Sequence, residues 1–406
     1  FYINKTEISF NTNTIKLDNF DAKTGSSDLK IKGNLANFYG FLFKNQELKG
    51  NFILNSDNFK VADFLSTETS EENTKTESNQ LKIPSFLDCK FTANAQNVTY
   101  DNINLKNVSG IVYVKDETVN LQNLKSDVFG GKIGFDGKVS TKGKTSTFKM
   151  DLNLEKLSIS ESFTNLEMLK SIAPIAKTIA GQINSKIKVS GNLNEDMTPN
   201  LKTISGDLFG KLLNPKLNSN NSKTLSLLRN KVSFLDTDKL NLDGINAFLS
   251  FKDGQVNVKP IPLKYKDIGI AVSGNHSFDK SMNYDIVFDV PAKYLGSEVT
   301  SIIAKLSPKD AATIKSVPVK ANLTGSFTSP SFSTNLKDAT SNLVKDLIEK
   351  QKQSLLDQGK NKLTDLLGLN KNKTDSTKTK DDTKDKIKGV LGNLFGKKKR
   401  DTTKKN

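Results

Sequence analysis

The feature that most constrains this chain is an alternation of apolar and polar side chains, which recurs in short segments from residue 1 to about residue 335. The clearest segments lie at residues 29–35, 49–56, 90–100, 109–121 and 146–159. Period-two patterning bounded by Asn, Asp, Gly and Lys is typical of antiparallel strands and hairpins. Because alternation sends successive side chains to opposite faces, the sequence predicts a mainly β protein whose sheet is apolar on one side and polar on the other.

A glycine-containing pattern recurs within these segments. Two apolar residues at alternate positions are followed, two residues later, by a glycine; the five glycines are Gly33, Gly137, Gly191, Gly274 and Gly325. Their irregular spacing excludes a strict repeat such as a propeller blade. The pattern predicts one strand type reused along an elongated, curved antiparallel sheet that forms an apolar groove, with glycine bending or thinning each strand.

The stretch from Leu121 to Ser140 contains one copy of this pattern and four glycines, Gly130, Gly131, Gly134 and Gly137. Gly130 and Gly131 are predicted to let the sheet bend at this point. The sequences 135–137 and 252–254 each end in Asp-Gly, which predicts tight turns because glycine accepts positive φ.

Short helices interrupt the strands. Residues 161–181 carry apolar side chains near helical spacing, with Pro174 as a kink and Gly181 as a stop. A second helix is predicted at 222–230. Residues 294–315 predict two more, and the second has Ser307 as its cap and Pro308 at its first position.

These patterns divide the chain into five parts. The predicted parts are a β-sheet segment at 1–65, a disordered polar loop at 66–80, the main β-groove region at 81–335, an amphipathic helix at 336–370 and a basic low-complexity tail at 371–406. The chain starts at Phe1 within a predicted strand, which indicates that a preceding N-terminal portion is missing. No run of 18 apolar residues occurs in the sequence, so it contains no predicted transmembrane helix.

The tail combines a short amphipathic helix with a basic cluster. Its predicted membrane-contact residues are Ile387, Val390, Leu391, Leu394, Phe395, Lys397, Lys398, Lys399 and Arg400. This layout is typical of an interfacial membrane anchor. A helix that docks on a protein partner, or a frayed basic end, are the alternatives, and Gly389 and Gly392 weaken the helix.

The charge distribution argues against nucleic acid as a partner. The net charge is +16, and residues 371–406 hold 13 Lys or Arg against five Asp, so half of the excess lies in the tail. A nucleic-acid groove carries its positive charge on the fold itself.

Residues for catalysis are scarce. Cys89 is the only cysteine, which excludes an internal disulfide and a cysteine-based zinc site, and its alternating position predicts a buried thiol. His276 is the only histidine, at an apolar position of its strand pattern, which favours a structural imidazole. The sequence contains no GxGxxG, P-loop or HExxH motif. These observations predict a protein that is not an enzyme and uses no cofactor or metal.

Three segments together resemble the AsmA-like family. Residues 83–140 resemble its C-terminal region, in which an apolar segment leads through Phe129, Gly130 and Gly131 into an alternating strand. Residues 245–290 are similar to its later portion, with Asp253-Gly254 and then the Gly274 strand. Residues 169–210 resemble the helix-to-strand passage of Lys/Asn-rich, Bacteroidetes-like versions. The basic tail departs from the family pattern.

The resemblance, which covers roughly residues 80–330, implies a location and a role. It implies a protein of the bacterial cell envelope, on the periplasmic side and anchored to the inner membrane by an N-terminal helix that this sequence does not include. It also implies a long β-sheet curled into a groove, whose apolar inner face passes phospholipid acyl chains between the inner and outer membranes. A one-sided apolar sheet agrees with that role, because an uncovered face would otherwise exceed the apolar patch that monomers tolerate.

We therefore expect a non-enzymatic envelope protein that binds or conducts phospholipids and supports outer-membrane assembly and homeostasis. The predicted groove residues are Leu121, Val128, Ile133, Phe135, Val189, Ile270 and Val272. The expected partners are phospholipid acyl chains, a membrane surface and envelope proteins. Two alternatives remain: an outer-membrane protein assembly factor that pairs strands at its sheet edge, and a surface adhesin or filamentous β protein.

Overall fold

In the computed structural model, the described residues are 1–11, 14–64, 82–218, 222–314 and 316–366, with side chains as far as residue 356. Their strands form one open sheet of 17 strands, which confirms the prediction of a mainly β fold. The strands are β1 Tyr2–Phe10, β2 Thr14–Thr24, β3 Ser27–Ala36, β4 Leu48–Lys60, β5 Leu87–Tyr100, β6 Ile103–Lys115, β7 Thr118–Val128, β8 Gly131–Ser140, β9 Thr147–Ser158, β10 Ile179–Asn192, β11 Ser205–Leu217, β12 Asn246–Lys252, β13 Gln255–Tyr265, β14 Ile268–Ser277, β15 Ser281–Val290, β16 Val317–Ser326 and β17 Pro330–Thr334.

Each strand pairs with its neighbours in the chain. The pairs are antiparallel throughout the described sheet except β4 and β5, which run parallel with Phe52 opposite Phe91. Strands β4 and β5 therefore begin at the same end of the sheet. The sheet is therefore mostly, not wholly, antiparallel, and it joins the strands of residues 1–65 to those of 81–335.

The helices lie mainly at one end of the strands. They are α1 Phe38–Lys44, α2 Ile159–Asn165, α3 Glu167–Ile172, α4 Lys223–Lys231, α5 Ser297–Ile303, α6 Pro308–Ala311 and α7 Leu336–Leu366. Helices α2 to α7 follow β9, β11, β15 and β17 at the end that we call the helical end. Helix α1 joins β3 to β4 at the opposite end, the α1 end.

Two hydrophobic cores lie within the compact unit Phe1–Leu347. The first core joins α2 and α3 to β9–β13 and to Val128 at the end of β7, with Leu157, Ile172 and Val256 almost fully buried. The second joins α4, α5 and the start of α7 to β13–β16, around Phe288 and Val299. Residues 348–406 form a separate unit.

Some of the predicted local elements differ from the structure. Phe129 and Gly130 have φ of 47° and 70° and form a two-residue turn between β7 and β8, so this stretch is a hairpin and not a mid-strand bend. Gly137 lies inside β8, opposite Leu121 and Met150, so the predicted turn at 135–137 is wrong. The turn at Asp253-Gly254 is confirmed.

The helix predicted at 161–181 is broken into shorter pieces. Helix α2 ends at Asn165, and α3 ends at Ile172, two residues before Pro174. Strand β10 begins at Ile179, so Gly181 belongs to a strand. Proline disfavours helical geometry in the residue that precedes it, which explains the early stop. The predicted cap at Ser307 is confirmed, since its hydroxyl accepts a hydrogen bond from the Asp310 backbone N–H.

Three of the five recurring glycines, Gly33, Gly137 and Gly274, make room for a large residue on the next strand. A Cβ at Gly33 would lie 2.8 Å from Cα of Phe52, and one at Gly274 would lie 2.7 Å from Cα of Tyr284. A Cβ at Gly137 would collide with the Met150 side chain. The pattern thus places a large side chain over each of these glycines, a known way to complete a strand at glycine.

Candidate functional site

One row of directly paired residues crosses the sheet from β1 to β16. Directly opposed residues of neighbouring strands point to the same face, so the row defines one side of the sheet, here called the apolar side. Its members are Ile8, Leu17, Gly33, Phe52, Phe91, Val112, Leu121, Gly137, Met150, Val189, Gly206, Phe251, Val256, His276, Met282 and Gly325.

The register places all seven predicted groove residues on this side. Leu121 and Val189 belong to the row itself. The other five either lie an even number of residues from a row member on the same strand or pair with a residue that does; these are Val128, Ile133, Phe135, Ile270 and Val272. Some strands contain a register shift, which restores the alternation after an extra residue. That these residues contact lipid stays a prediction.

The seven residues differ in how they are covered. Val128 and Val189 are buried in the first core and Ile133 packs against it. Ile270 is buried in the second core and Val272 packs against it. Leu121 and Phe135 are half-buried and belong to neither core.

The apolar side is progressively less covered toward β1. Neither core includes a residue of the described strands β1 to β5. Along the row, exposure is 0% at Val256 in β13 and 53% at Ile8 in β1. We call the apolar side of β1–β8 outside the two cores the open strip; its central residues are Leu17, Phe52, Phe91, Leu121 and Phe135.

The open strip carries no charged side chain within the described residues of β1–β8. The lysine and acidic side chains of these strands point to the opposite side, as Lys132, Asp136 and Lys138 do in β8. Within the strip, the rings of Phe52 and Phe91 stack with centroids 5.1 Å apart. A surface of this kind favours apolar ligands, because an ion placed on it would lose its hydration without a partner.

His276 lies on the apolar side but is held by hydrogen bonds. Its Nε2 is 3.1 Å from the Ser171 carbonyl oxygen and its Nδ1 is 2.8 Å from the Tyr284 hydroxyl. Since a carbonyl only accepts, Nε2 carries the proton and Nδ1 accepts from Tyr284. Burial lowers the pKa of His276, and burial raises the pKa of Tyr284. The Nε2 bond holds α3 against β14, and the Nδ1 bond joins β14 to Tyr284 of β15.

Cys89 is buried on the same side, as predicted. It is 3% exposed, and burial raises the pKa of its thiol, which keeps the sulfur protonated and unreactive. Among the described residues, no group of three or more His, Cys, Asp or Glu side chains is placed to hold a metal ion.

The predicted membrane-contact residues from Ile387 to Arg400 lie outside the described residues, as does the predicted loop at 66–80. In the described part of the chain, none of the helices combines the length and the hydropathy that crossing a bilayer requires.

Sequence reasoning missed Phe52 and Phe91 as site residues. The segments 49–56 and 90–100 were predicted as strands, and the alternation Phe52–Leu54 and Phe91–Ala93 was visible there. What the sequence did not indicate was the parallel pairing that brings the two rings together.

No family model, no curated protein and no solved structure matches this chain. The resemblance to AsmA-like proteins therefore stays a hypothesis.

Proposed function

We propose that this chain is a non-enzymatic protein of the bacterial cell envelope that binds phospholipid acyl chains along the open strip. In this proposal it conducts them between the inner and outer membranes and supports outer-membrane assembly. The observation that supports the proposal is the uncharged apolar side of β1–β8 outside the two cores, where Phe52, Phe91 and Leu121 are only half-buried. Burial of apolar surface stabilises by about 25 cal/mol per Å², so an acyl chain that covers this strip is held without specific contacts.

The polar composition of the loop between β4 and β5 supports an external ligand as the cover. Residues 66–80 contain no hydrophobic residue, so their side chains are poorly suited to shield Phe52, Phe91 or Leu121 from water. An apolar surface of this extent is typical of a binding site rather than of a free monomer surface.

Two long-range contacts support curvature of the sheet around its apolar side. The Tyr100 hydroxyl at the end of β5 donates at 3.1 Å to the carbonyl of Met197, which lies in the connection between β10 and β11. Strands β5 and β10 are five strand spacings apart, or about 24 Å in a flat sheet. His276 in β14 contacts Ser171 of α3, which precedes β10. In the proposal, this curvature turns the apolar side into a groove.

The hydrogen bonds of His276 support a role without covalent chemistry. The only imidazole of the chain uses one nitrogen to contact Ser171 of α3 and the other to accept from Tyr284 of β15, so it is not available as a general base.

Lipid retention tests the proposal. The full chain is purified with mild detergent, and co-purified phospholipid is measured by mass spectrometry. Phe52→Asp and Phe135→Asp place a charge in the open strip and should lower retained lipid at least fivefold. Ile53→Asp is the matched control, because Ile53 is 52% exposed on the opposite side of the same strand. Equal retention by all three variants, each with unchanged circular dichroism, contradicts the proposal.

Sheet-edge pairing is the second candidate function, and β1 favours it. All nine residues of β1 are exposed, and within the part of the chain that the structure describes β1 pairs on one side only, with β2. An unpaired edge strand is a template for another strand. Hydrogen exchange measures this directly: an unfolded outer-membrane β-barrel protein should protect the free-edge amides of β1. Unchanged exchange in its presence rejects this candidate.

A further inference from the structure

A group of apolar side chains projects from the α1 end of the sheet. Tyr39, Leu42 and Phe43 of α1 are 54%, 52% and 72% exposed. Their spacing of three and four residues puts them on one face of the helix. On the other side of the helix, Phe41 contacts Phe86 with ring centroids 5.2 Å apart. The exposed face is therefore separate from the contacts that hold α1 in place.

The loop that carries this face is fixed by its own hydrogen bonds. Asn37 Nδ2 donates to the Glu47 carbonyl at 3.1 Å, and the Gln46 backbone N–H donates to the Gly40 carbonyl at 3.1 Å. Gly40 is buried, and a Cβ there would collide with the side chains of Asn37 and Gln46. The apolar face is thus presented by an ordered loop.

The end of the open strip adjoins this loop. Phe10, the last residue of β1, is 80% exposed and pairs with Ile15, which pairs with Leu35 just before α1. Two strand spacings, about 10 Å, separate β1 from β3. The exposed apolar residues of α1 and β1 therefore lie at the same end of the sheet.

The charges around this face suit an anionic surface. Lys44 closes α1 directly after Phe43, and the nearby acids Glu47 and Asp88 lie 3.7 and 3.0 Å from Lys115. Aromatic and aliphatic tips beside lysine are the composition that enters the interface of a bilayer, with the ammonium at the headgroups.

We propose that Tyr39, Leu42 and Phe43 form a tip that inserts into the interface of an anionic phospholipid bilayer at the α1 end. The proposed contact of the tip with a bilayer is inferred from the geometry of α1 alone. Its purpose, to place the end of the open strip against a source of acyl chains, rests on the proposed function.

The chain contains no tryptophan, which permits a local test. Phe43→Trp in the full chain introduces a single indole, and vesicles of phosphatidylcholine and phosphatidylglycerol at three to one are added. The emission should shift to the blue, and lipids with brominated acyl chains should quench it. Ile53→Trp, on the polar side of β4, is the matched control and should do neither. Tyr39→Asp with Leu42→Asp in the Phe43→Trp chain should abolish the shift.

Other outcomes overturn the inference. A Phe43→Trp emission spectrum that vesicles leave unchanged rejects the tip, even if the protein floats with vesicles. The basic tail then accounts for the flotation, and Leu394→Asp with Phe395→Asp should abolish it. A blue shift that depends on protein concentration and not on vesicles assigns the face to a second copy. Retained lipid without a blue shift supports the proposed function and rejects the tip. A blue shift without retained lipid supports the tip and rejects the proposed function.

Discussion

Phe52 and Phe91 stack at 5.1 Å across the parallel pair β4–β5, on the part of the apolar side that neither core covers. The next residue, Ile53, points to the opposite side and is 52% exposed. Positions 52 and 53 of β4 thus lie on opposite sides of the sheet. The same substitution at the two positions therefore compares the open strip with the polar side.

Truncations should distinguish the covered and the open parts of the apolar side. Phe288 is fully buried in the second core, and Phe288→Ala should cost about 3–5 kcal/mol of unfolding free energy. Phe52 is half-buried, and Phe52→Ala should cost roughly 1–2 kcal/mol, mostly from lost stacking and partial burial. Urea denaturation monitored by circular dichroism measures both. Equal losses would mean that the strip is sealed in a core.

Much of the sheet was predictable because alternation is a local signal. The side on which Leu121, Phe135 and Val189 lie follows from period two once the strands are identified. The parallel pairing of β4 and β5 was not predictable, since it depends on the path of the connecting chain. The packing of helices on distant strands was not predictable either, since residues far apart in the sequence meet there; His276 contacts Ser171, which lies 105 residues earlier.

Helix α1 was missed for a different reason. Its seven residues are too few for a helical period to stand out, and Gly40 lowers helix propensity. Its αL residues, Asn37 and Asn45, were the available signal, because asparagine is common in that conformation at helix ends.

Acidification should destabilise the protein in part through His276. Burial lowers the pKa of His276 in the folded state, so the unfolded chain binds the proton more readily, from about pH 6.5 downward. Stability is therefore greatest above that pH and falls as the pH drops toward the folded pKa.

The variant His276→Gln isolates this contribution. Its amide can accept from Tyr284 and donate to the Ser171 carbonyl without titrating. Denaturation midpoints measured from pH 7.5 to pH 5 should fall less steeply for the variant, while carboxylates contribute equally to both proteins. Parallel pH profiles would show that His276 does not titrate differently in the two states.

The recurring glycines should resist even the smallest substitution. In Gly33→Ala the added methyl would lie 2.8 Å from Cα of Phe52 and closer still to the Asn51 carbonyl. Overpacking of this kind costs about 1–3 kcal/mol. Gly134→Ala is the control, because the nearest atom to its Cβ, the Leu124 carbonyl oxygen, is 3.8 Å away. The midpoint temperature of thermal unfolding should be much lower for Gly33→Ala than for Gly134→Ala. The reverse order would refute the packing role.

The basic tail should bind anionic membranes reversibly. Each lysine or arginine near such a surface contributes on the order of 1 kcal/mol, screened by salt. A peptide of residues 371–406 should therefore float with anionic vesicles at low salt and dissociate at high salt. Binding that is indifferent to Leu394→Asp with Phe395→Asp, or absent at low salt, would reassign the segment to a protein partner or to no docking role.

Site-specific photo-crosslinking shows whether acyl chains lie on the open strip. Benzoylphenylalanine is introduced at position 52 or at position 53 of the full chain, the protein is equilibrated with phospholipid vesicles and irradiated, and intact masses are recorded. We expect a phospholipid adduct at position 52 and little or none at position 53, which lies on the other side of the sheet. No adduct at position 52, or equal adducts at both positions, would contradict it.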